Sequence, residues 1–233
     1  MIGSPRVHHR LTDSTNQRAK ELAEAGAPHG TVVTADEQTA GRGRQGRSWV
    51  APPRSAVLMS AVVRDLDSMA MLPLAAALAV CEAAEACAPV RCEIKWPNDV
   101  WVERRKLSGI LVEGRPAAGW AVVGIGLNVT TAEDDFPPEL RATATSLRAA
   151  GGDAAVPGVL AALLAGLTRW VPAEPGAVLA AWRERDALLG QRIRWTDGEG
   201  VAAGIDDSGS LLVDSDSGRV ALGAGEVHLE PLG

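Results

Sequence analysis

The sequence lacks several features that would assign it to a large protein class at once. Tyrosine is absent, phenylalanine occurs once, and the three cysteines, Cys81, Cys87 and Cys92, form no C-x-x-C pair. This spacing argues against a disulfide framework or a zinc site and predicts free thiols in a reducing compartment. The longest apolar stretch is interrupted by Glu82 and Glu85. No charge-free run of about 18 apolar residues remains, so we expect no membrane span.

An excess of basic residues is also missing, since the formal net charge is -6 over 233 residues. A nucleic-acid-binding protein usually carries a net positive charge, so the composition argues against that class. The N-terminus has no charged start followed by an apolar stretch, and we expect no secretory signal. These observations predict a cytoplasmic protein. Apolar residues make up 46% of the chain, which is enough to form a sizeable core.

The apolar periodicity and the turn residues predict a chain of mixed α and β structure. Ser14 and Gln17 fit a capping box at the start of the first helix. Helices are predicted over 14–26 and 68–88, from Pro157, and from Pro175 to Gly190. Strands are predicted over 31–35, 56–63, 90–94, 99–102, 107–112 and 120–123. The acidic, proline-containing stretch 133–144 is expected to form a loop.

The character of the sequence changes after Gly190. Five short β-branched or apolar runs follow, separated by Asp-Gly and Ser-Gly turn signals. Several short strands in so few residues predict a small separate β-barrel. The expected domains are therefore 1–189 and 190–233. Acidic residues outnumber arginines in the second domain, so we expect phosphate to repel it and DNA not to bind there.

The most informative motif is the segment 41–49, Gly-Arg-Gly-Arg-Gln-Gly-Arg-Ser-Trp. Its glycines allow a close backbone approach to a ligand, and its arginines supply planar cationic donors for carboxylate or phosphate. It therefore predicts an anion-binding loop, with a solvated basic loop as the alternative. The segment also contains G-x-G-x-x-G and nearly matches the phosphate-loop pattern. Both motifs require a following helix, and Val-Ala-Pro-Pro at 50–53 is a poor helix start.

Four further segments have both a structural and a functional interpretation. Lys-Trp-Pro-Asn-Asp at 95–99 is either a turn or a carboxylate and an amide at a pocket mouth, where Asp99 could hold Mg²⁺. The lysine that begins 106–113 either ends a strand or reaches an anion. The glycines of 124–129 indicate either a bulge or close approach of a ligand. Asp-Ser-Thr-Asn at 13–16 is either a helix cap or part of a binding site.

Taken together, in this order and spacing, the motifs resemble those of the biotin–protein ligases. The matching motifs are Asp13-Ser-Thr-Asn, Gln38-x-Ala-Gly-Arg-Gly-Arg-x-Gly-Arg-x-Trp, Lys95-Trp-Pro-Asn-Asp, Arg105-Lys-Leu-x-Gly-Ile-Leu-x-Glu and Gly124-Ile-Gly-x-Asn-Val. The resemblance extends from about Leu11 to the C-terminus. It implies an α+β fold, a mixed β-sheet with helices on one face as in the class II aminoacyl-tRNA synthetases and biotin ligases. A small C-terminal SH3-like β-barrel is implied after it.

The resemblance also implies a reaction and its partners. An ATP-dependent ligase of this family activates biotin as biotinyl-5'-AMP and transfers it to a lysine of a biotin carboxyl carrier protein or domain. Biotin, ATP and Mg²⁺ are the implied ligands. Only 12 residues precede Asp13, so we expect the short form without an N-terminal DNA-binding domain, and no specific DNA and no membrane as partners. A homodimer is one expected state, because the family contains both monomers and dimers.

Roles for single residues follow from the same resemblance. The implied catalytic residues are Lys106 between the biotin carboxylate and the α-phosphate, Arg44 closing over the adenylate, and Asp99 serving the metal or the incoming amine. The implied biotin-binding residues are Ser14, Thr15, Asn16, Gln38, Arg42, Gly43, Arg44, Lys106, Gly109 and Gly124. The implied ATP-binding residues are Arg42, Arg44, Trp49, Asn98, Lys106, Asn128 and Phe136.

Two other functions remain open at this point. A lipoate–protein ligase would share the fold and the acyl-adenylate chemistry, although the Gly-Arg and Lys-Trp-Pro-Asn-Asp motifs favour biotin. A non-catalytic nucleic-acid binder could use the Arg-Gly loop, but three arginines offer few phosphate contacts.

Overall fold

A seven-stranded mixed sheet forms the larger part of the protein. The computed structural model describes residues 1–64, 69–223, 225 and 227–229 of the chain. The strands are β1 (Arg6–His9), β2 (Val32–Ala35), β3 (Ala56–Arg64), β4 (Glu93–Lys95), β5 (Asp99–Val102), β6 (Arg105–Arg115) and β7 (Trp120–Asn128). Their spatial order is β1-β2-β3-β7-β6-β5-β4. β1 is parallel to β2, and the other neighbours are antiparallel.

The centre of this sheet is the antiparallel pair β3 and β7. The two strands pair along their whole length, from Ala56 opposite Asn128 to Arg64 opposite Trp120. Both are nearly continuous apolar runs, which is typical of strands that are covered on both faces. One position in β3 breaks this pattern. Ser60 is a buried polar residue in the middle of the strand.

Helices cover both faces of the sheet. The described residues contain α1 (Thr15–Glu24), α2 (Leu72–Cys87), α3 (Val156–Trp170) and α4 (Pro175–Arg183). The last three pack in the main core with β3 side chains such as Met59 and Ala61. α1 packs through Ala19 and Ala23 against Val62, whose side chain points to the opposite face. The expectation of helices on one face is therefore wrong, because strand side chains alternate between faces and both faces of β3 are apolar.

The central helix of the core is α2. Residues Met69–Cys87 are long and apolar enough to cross a membrane, but 67% of that stretch is buried inside the protein. A helix that is apolar on all sides and enclosed by other elements is typical of a protein core. The helix itself begins at Leu72. Ser68, with which the predicted helix began, lies outside the described residues.

The predicted strands are confirmed, with boundary shifts of a few residues, and β1 was not predicted. It has the sequence Arg-Val-His-His and forms an edge by parallel pairing with β2, so it carries little apolar pattern. The last helix was predicted to reach Gly190 but ends at Arg183. Beyond it the backbone bonds to β4 instead, with Ile94 N donating to Arg185 O and Ala187 N donating to Ile94 O.

A second, antiparallel sheet follows, and its five strands match the five that were predicted. They are β8 (Arg192–Trp195), β9 (Gly198–Ile205), β10 (Leu211–Ser215), β11 (Gly218–Leu222) and β12 (His228–Leu229). Their order is β11-β10-β9-β8-β12, an open sheet in the pairings of the described residues. Glu226 and Glu230, counted among the acidic residues of this unit, lie outside the described residues.

The C-terminal sheet is attached to the larger sheet through apolar contacts and one hydrogen bond. Ile193 and Leu211 belong to the same core cluster as α2. The Trp96 Nε1 group donates to the Gly209 carbonyl over 3.0 Å. Gly209 has a φ of +82°, and a Cβ there would lie 3.0 Å from Leu74. The turn between β9 and β10 is therefore fitted against α2, directly beside the Pro97-Asn98-Asp99 segment.

An ion pair joins α2 to the chain after α4. Arg185 donates to both carboxylate oxygens of Glu85, over 2.6 and 2.8 Å, and Cys92 N also donates to this carboxylate. Burial raises the pKa of Glu85, but these bonds outweigh it and bring the pKa below its ordinary value of 4.5. Cys81, Cys87 and Cys92 are all free thiols, as predicted.

Replacing Arg185 by methionine should lower the free energy of unfolding by about 2 kcal/mol at neutral pH, because it leaves a half-buried carboxylate without its two bonds from Arg185. The pKa of Glu85 is lowered, so the stabilisation by the pair is present at neutral pH and is lost as the pH falls through that pKa. Urea unfolding at several pH values measures both effects. Arg169→Met is the control, because the pair with Glu82 is exposed and contributes less than about 1 kcal/mol. Equal losses in both variants would contradict the prediction.

Candidate active site

The predicted site residues come together around one cavity of about 500 Å³. It lies on the face of the sheet that carries α1, beneath the Arg-Gly loop 41–49 and the segment 131–144. Fourteen of the fifteen residues predicted as catalytic or ligand-binding line it. They are Ser14, Thr15, Asn16, Gln38, Arg42, Gly43, Arg44, Trp49, Asn98, Lys106, Gly109, Gly124, Asn128 and Phe136. Asp99 is the exception, and it lies directly behind Lys106.

One wall is formed by the N-terminus of α1. Ser14 is the N-cap residue, but its side chain makes no capping hydrogen bond within the described residues. The predicted capping box is therefore wrong, because Gln17 bonds to Glu21 and the Ser14 backbone N–H donates to Asp13 Oδ1 over 2.6 Å. The Ser14 hydroxyl is thus not used to cap the helix. The bond from Arg18, with that from Ser14 N–H, holds the pKa of Asp13 below its usual value.

Gln38 closes this wall from the other side. Its amide oxygen accepts the Thr15 backbone N–H over 2.7 Å, and the Thr15 hydroxyl lies 3.1 Å from the same oxygen. Because the oxygen is engaged by the helix, the amide NH₂ of Gln38 is the part of the side chain suited to donate to a ligand.

The floor of the cavity is a buried polar cluster built on α1, β3 and β6. Asn16 Nδ2 donates to Glu113 Oε2 over 3.0 Å and to the Leu111 carbonyl over 3.3 Å. The Ser60 hydroxyl lies 2.6 Å from Asn16 Oδ1 and 2.8 Å from Thr15 Oγ1. The two amide atoms of Asn16 and the hydroxyls of Ser60 and Thr15 therefore all have hydrogen-bond partners, as buried polar groups require.

Glu113 also holds two cations. Lys20 Nζ lies 3.0 Å and Arg42 Nη1 3.4 Å from its Oε1 atom. Burial raises the pKa of Glu113, but the bonds from Asn16 and Lys20 and the charge of Arg42 more than offset it, so the pKa lies below its usual value. The carboxylate is therefore ionised at neutral pH and fixes the direction of Arg42.

The Arg-Gly loop is folded as a short hairpin. Trp49 N donates to Gly41 O over 3.0 Å, and Gly43 N donates to Arg47 O over 2.7 Å. Arg44 donates to the Asn98 side-chain oxygen over 3.2 Å. Asn98 is itself held by β6, since its Nδ2 donates to the Ile110 carbonyl. The loop therefore stands over the cavity with its cations directed by neighbouring side chains.

Lys106 and Asp99 form an ion pair at the inner end of the cavity. Lys106 Nζ lies 2.8 Å from Asp99 Oδ1, although the angle is not that of a good hydrogen bond. The lysine backbone is fixed by pairing with the later chain, with Lys106 N donating to Thr143 O and Thr145 N donating to Lys106 O. The ammonium also lies 5.8 Å from the Trp49 ring, within cation–π range.

The expected Mg²⁺ site at Asp99 does not fit this arrangement. The Lys106 ammonium is placed against the oxygen that a cation would use. Within residues 1–64, 69–223, 225 and 227–229, no three His, Cys, Asp or Glu side chains are grouped to hold a metal. The charge of Asp99 is already compensated by the Lys106 ammonium, so this carboxylate attracts a second cation only weakly. We assign no chemical step to a protein-held metal.

The segment 131–147 forms the remaining wall. Asn128 at the end of β7 donates to the Thr145 carbonyl over 2.9 Å, so its amide fixes this segment as well as facing the cavity. Phe136 is buried, and Arg141 donates to its carbonyl over 3.0 Å. The predicted loop 133–144 is therefore an ordered wall in which a short 3₁₀ turn, Glu133–Asp135, is the only regular element described.

Three glycines were expected to bring the sheet close to a ligand ring, but protein side chains take up the space beside them. A Cβ at Gly124 would lie 1.9 Å from Asn16 Oδ1, and a Cβ at Gly126 would lie 2.3 Å from the Trp49 indole. A Cβ at Gly109 would lie 3.1 Å from the same indole. These glycines therefore admit Asn16 and Trp49 to the cavity wall, and the assignment of Gly109 and Gly124 to biotin binding stays a prediction.

Ser60 lies behind the cavity wall, in contact with Thr15 and Asn16, and was not predicted. A serine in the middle of an apolar strand nevertheless signals a polar contact even in the sequence. Several lining residues were not predicted either, because they are supplied by chain segments whose place depends on tertiary packing. They are Arg47, Ser48, Val50, Ala51, Pro52, Ile110, Leu111, Ile125, Thr131, Asp135, Pro137, Leu140, Thr143 and Ala144. The whole arrangement can bind an anion through Arg42, Arg44 and Lys106 and a polar ring through its floor.

Comparison with known proteins assigns the chain to a family. Residues 8–129 match the biotin/lipoate A/B protein ligase family, and residues 188–229 match the biotin protein ligase C terminal domain. The chain belongs to the biotin protein ligase family. The biotin–[acetyl-CoA-carboxylase] ligase of Mycobacterium tuberculosis is 38% identical over 94% of this chain and 86% of its own length. The bifunctional ligase/repressor BirA of Bacillus subtilis is 34% identical, over 98% and 75%.

A solved member of the ligase family has the same fold. The biotin protein ligase of Aquifex aeolicus in complex with biotin and ATP superposes with a TM-score of 0.83 and 28% identity, over 97% of this chain and 99% of that one. The likeness confirms the expected fold class, a mixed sheet with helices followed by a second sheet at the C-terminus.

Substitution of Gly124 by alanine should destabilise this ligase fold by about 1–3 kcal/mol, because the new Cβ overlaps the Asn16 amide and forces it out of its bonds to Glu113 and Ser60. Chemical unfolding of the purified variant measures the loss. Gly176→Ala in α4 is the matched control, since a Cβ there meets nothing within 4 Å. That change should stabilise the protein by roughly 0.5–1 kcal/mol. A Gly124 variant as stable as the wild type would show that Asn16 does not need this space.

Proposed function

We propose that this chain is a biotin–protein ligase, which activates biotin with ATP and transfers it to a lysine of a biotin carboxyl carrier protein or domain. The observation that carries the proposal is the convergence of three cations and a polar floor on one cavity. Its volume of about 500 Å³ is in the range of small-molecule sites. The relatives that are named as biotin ligases support the same assignment.

In the first step the biotin carboxylate attacks the α-phosphate of ATP, which gives biotinyl-5'-AMP and releases pyrophosphate. Two anions must meet, so a cation placed between them lowers the barrier. Lys106 at the inner end of the cavity is suited to this role, and Arg42 and Arg44 lie in the loop above it. The polar floor around Thr15, Asn16 and Gln38 supplies donors and acceptors for the ureido ring. Asn128, Trp49 and Phe136 line the part of the cavity that we assign to ATP.

In the second step the neutral amine of an acceptor lysine attacks the mixed anhydride, and AMP leaves. A free lysine amine has a pKa of about 10.4, so a nearby carboxylate helps to remove its proton. Asp99 is suited to this role because it lies 2.8 Å from Lys106, at the point where the carboxylate and phosphate would meet. Attraction of the Lys106 ammonium to the adenylate phosphate would free Asp99 to accept the proton.

The proposal includes an organisation and a setting for the enzyme. The catalytic unit is 1–189 and the C-terminal unit 190–233, supported by the start of the second family match at residue 188. The acceptor is a biotin-dependent carboxylase subunit, as the name of the mycobacterial relative indicates for that protein. Free buried cysteines support a reducing, cytoplasmic setting.

A lipoate–protein ligase is the second candidate, because the matching family includes lipoate ligases. The floor of the cavity argues against it. The dithiolane ring of lipoate has no N–H or carbonyl group, so it would leave buried polar groups such as those of Thr15 and Gln38 without ligand partners. Incubation of the enzyme and ATP with an acceptor domain and either biotin or lipoate separates the two. Transfer of lipoate rather than biotin would overturn the proposal.

Lys106→Ala should abolish adenylate formation and leave the fold intact, because it removes the cation from between the two reacting anions. Biotin-dependent release of pyrophosphate measures the first step, and far-UV circular dichroism monitors the fold. Lys20→Ala is the control, since Lys20 is bound to Glu113 outside the cavity lining. Pyrophosphate release by Lys106→Ala at a near-normal rate would refute the assignment of Lys106.

Arg44→Gly should let biotinyl-5'-AMP escape into solution more than it slows its formation. The change removes the charge-assisted contact of the loop with the adenylate and its bond to Asn98. Biotinylation of a bystander protein without an acceptor sequence should then rise by about tenfold or more. Bystander labelling equal to that of the wild-type enzyme would show that Arg44 does not retain the intermediate.

A further inference from the structure

Ser60 is the one buried side chain of the polar floor that has no role in the proposed reaction. It lies in the middle of β3, is fully buried at 0% exposure, and is opposite Gly124 in β7. Its hydroxyl contacts two side chains that face the cavity, Asn16 and Thr15, over 2.6 and 2.8 Å. A hydroxyl has a single proton, so these two contacts cannot both be donated by Ser60.

The direction of the first contact is fixed by the partners of Asn16. Asn16 Nδ2 faces the Glu113 carboxylate and the Leu111 carbonyl, and both of these groups only accept. The amide oxygen of Asn16 must therefore point to Ser60. An amide oxygen also only accepts, so the Ser60 proton is donated to Asn16.

The direction of the second contact follows from the first. The Ser60 oxygen has no proton left for Thr15 and can only accept from it. The proton of Thr15 is consequently directed to Ser60 at 2.8 Å, because two hydroxyl oxygens would otherwise face each other over this distance with no proton between them. The Gln38 amide oxygen, 3.1 Å away, already accepts the Thr15 backbone N–H. The Thr15 proton therefore stays inside the protein, and the hydroxyl presents only lone pairs to the cavity.

We propose that Ser60 is a positioning residue that sets the hydrogen-bond polarity of the ligand site through Thr15, while its own proton is held by Asn16. Thr15 Oγ1 is thereby an obligatory acceptor, and the site selects a ligand ring with an N–H group at this point. The ureido ring of biotin has such a group, so this inference rests on the proposed function. A ring without an N–H leaves the buried acceptor unpaired and binds more weakly.

A double-mutant cycle tests the inference in the full-length enzyme. Ser60→Ala removes the proton acceptor of Thr15, and Thr15→Val removes the hydroxyl that Ser60 orients while keeping the shape of the side chain. Calorimetric titration with biotin should give a dissociation constant about tenfold higher for Ser60→Ala, the effect of one misdirected hydrogen bond. The KM for ATP should stay unchanged. In the Thr15→Val background the further change Ser60→Ala should raise the dissociation constant by less than about twofold.

Matched variants show whether a change in biotin binding comes from the lost hydrogen bond of Ser60 or only from the loss of a buried hydroxyl in the sheet. Thr34→Val deletes another buried hydroxyl of the same sheet, which bonds to His8 rather than to the floor, and should leave biotin binding unchanged. If Ser60→Ala fails to fold by circular dichroism, Ser60→Cys replaces it, since a thiol keeps the shape but is a weak hydrogen-bonding group.

The outcomes separate this inference from the proposed function. A full tenfold effect of the Ser60 substitution in the Thr15→Val background, an equal weakening of ATP use, or no effect of the Ser60 substitution on biotin binding overturns the polarity role. Wild-type enzyme that binds no biotin overturns the proposed function itself and, with it, the inference.

Discussion

The antiparallel register of β3 with β7 is the constraint on which the site depends. It places Ser60 opposite Gly124, so that a polar side chain on one strand faces an open space on the next. Asn16 enters that space from the first turn of α1, and its amide oxygen would overlap any Cβ at position 124. A shift of one residue would turn Ser60 to the other face, into the apolar core with α2. The position of α1 and the chemistry of the floor are thus both consequences of strand pairing.

A second principle of the site is that its cations are directed by protein acceptors. Arg42 is held by Glu113, Arg44 bonds to Asn98, and Lys106 lies against Asp99. Such pairing limits the repulsion between like charges in a partly enclosed cavity, where charges interact more strongly than in water. It also means that an anionic ligand competes with these acceptors. Binding is then an exchange of partners, for which the cations are already in place.

The motif residues could be assigned to one site from the sequence because the chemistry requires them together. The order of Thr15, Gln38, Arg44 and Lys106 in their motifs predicted a shared cavity, and all four line it. Strands with continuous apolar runs were predicted well, since burial on both faces leaves a clear pattern. β1 was missed because an edge strand is stabilised by backbone pairing and needs few apolar side chains.

The errors at the site have a common cause, which is that local patterns do not show long-range partners. Ser14 and Gln17 have the spacing of a capping box, but Asp13 and Glu21 engage them instead. Asp99 has the ligand chemistry for Mg²⁺, but a lysine from the next strand lies against it. Both corrections depend on distances that only the folded chain defines.

The two Asp-Ser-Gly turns of the C-terminal sheet look alike in the sequence but have opposite surroundings. At 207–209 the glycine carbonyl accepts a proton from Trp96 and the turn is fitted against α2. At 216–218 the same three residue types are exposed, and a Cβ on the glycine would meet nothing within 4 Å. An affinity tag or a fluorescent label inserted at 216–218 would extend into solvent. The same insertion at 207–209 would separate the two sheets. Of two turns that look equivalent in the sequence, only 216–218 is therefore suited to an insertion.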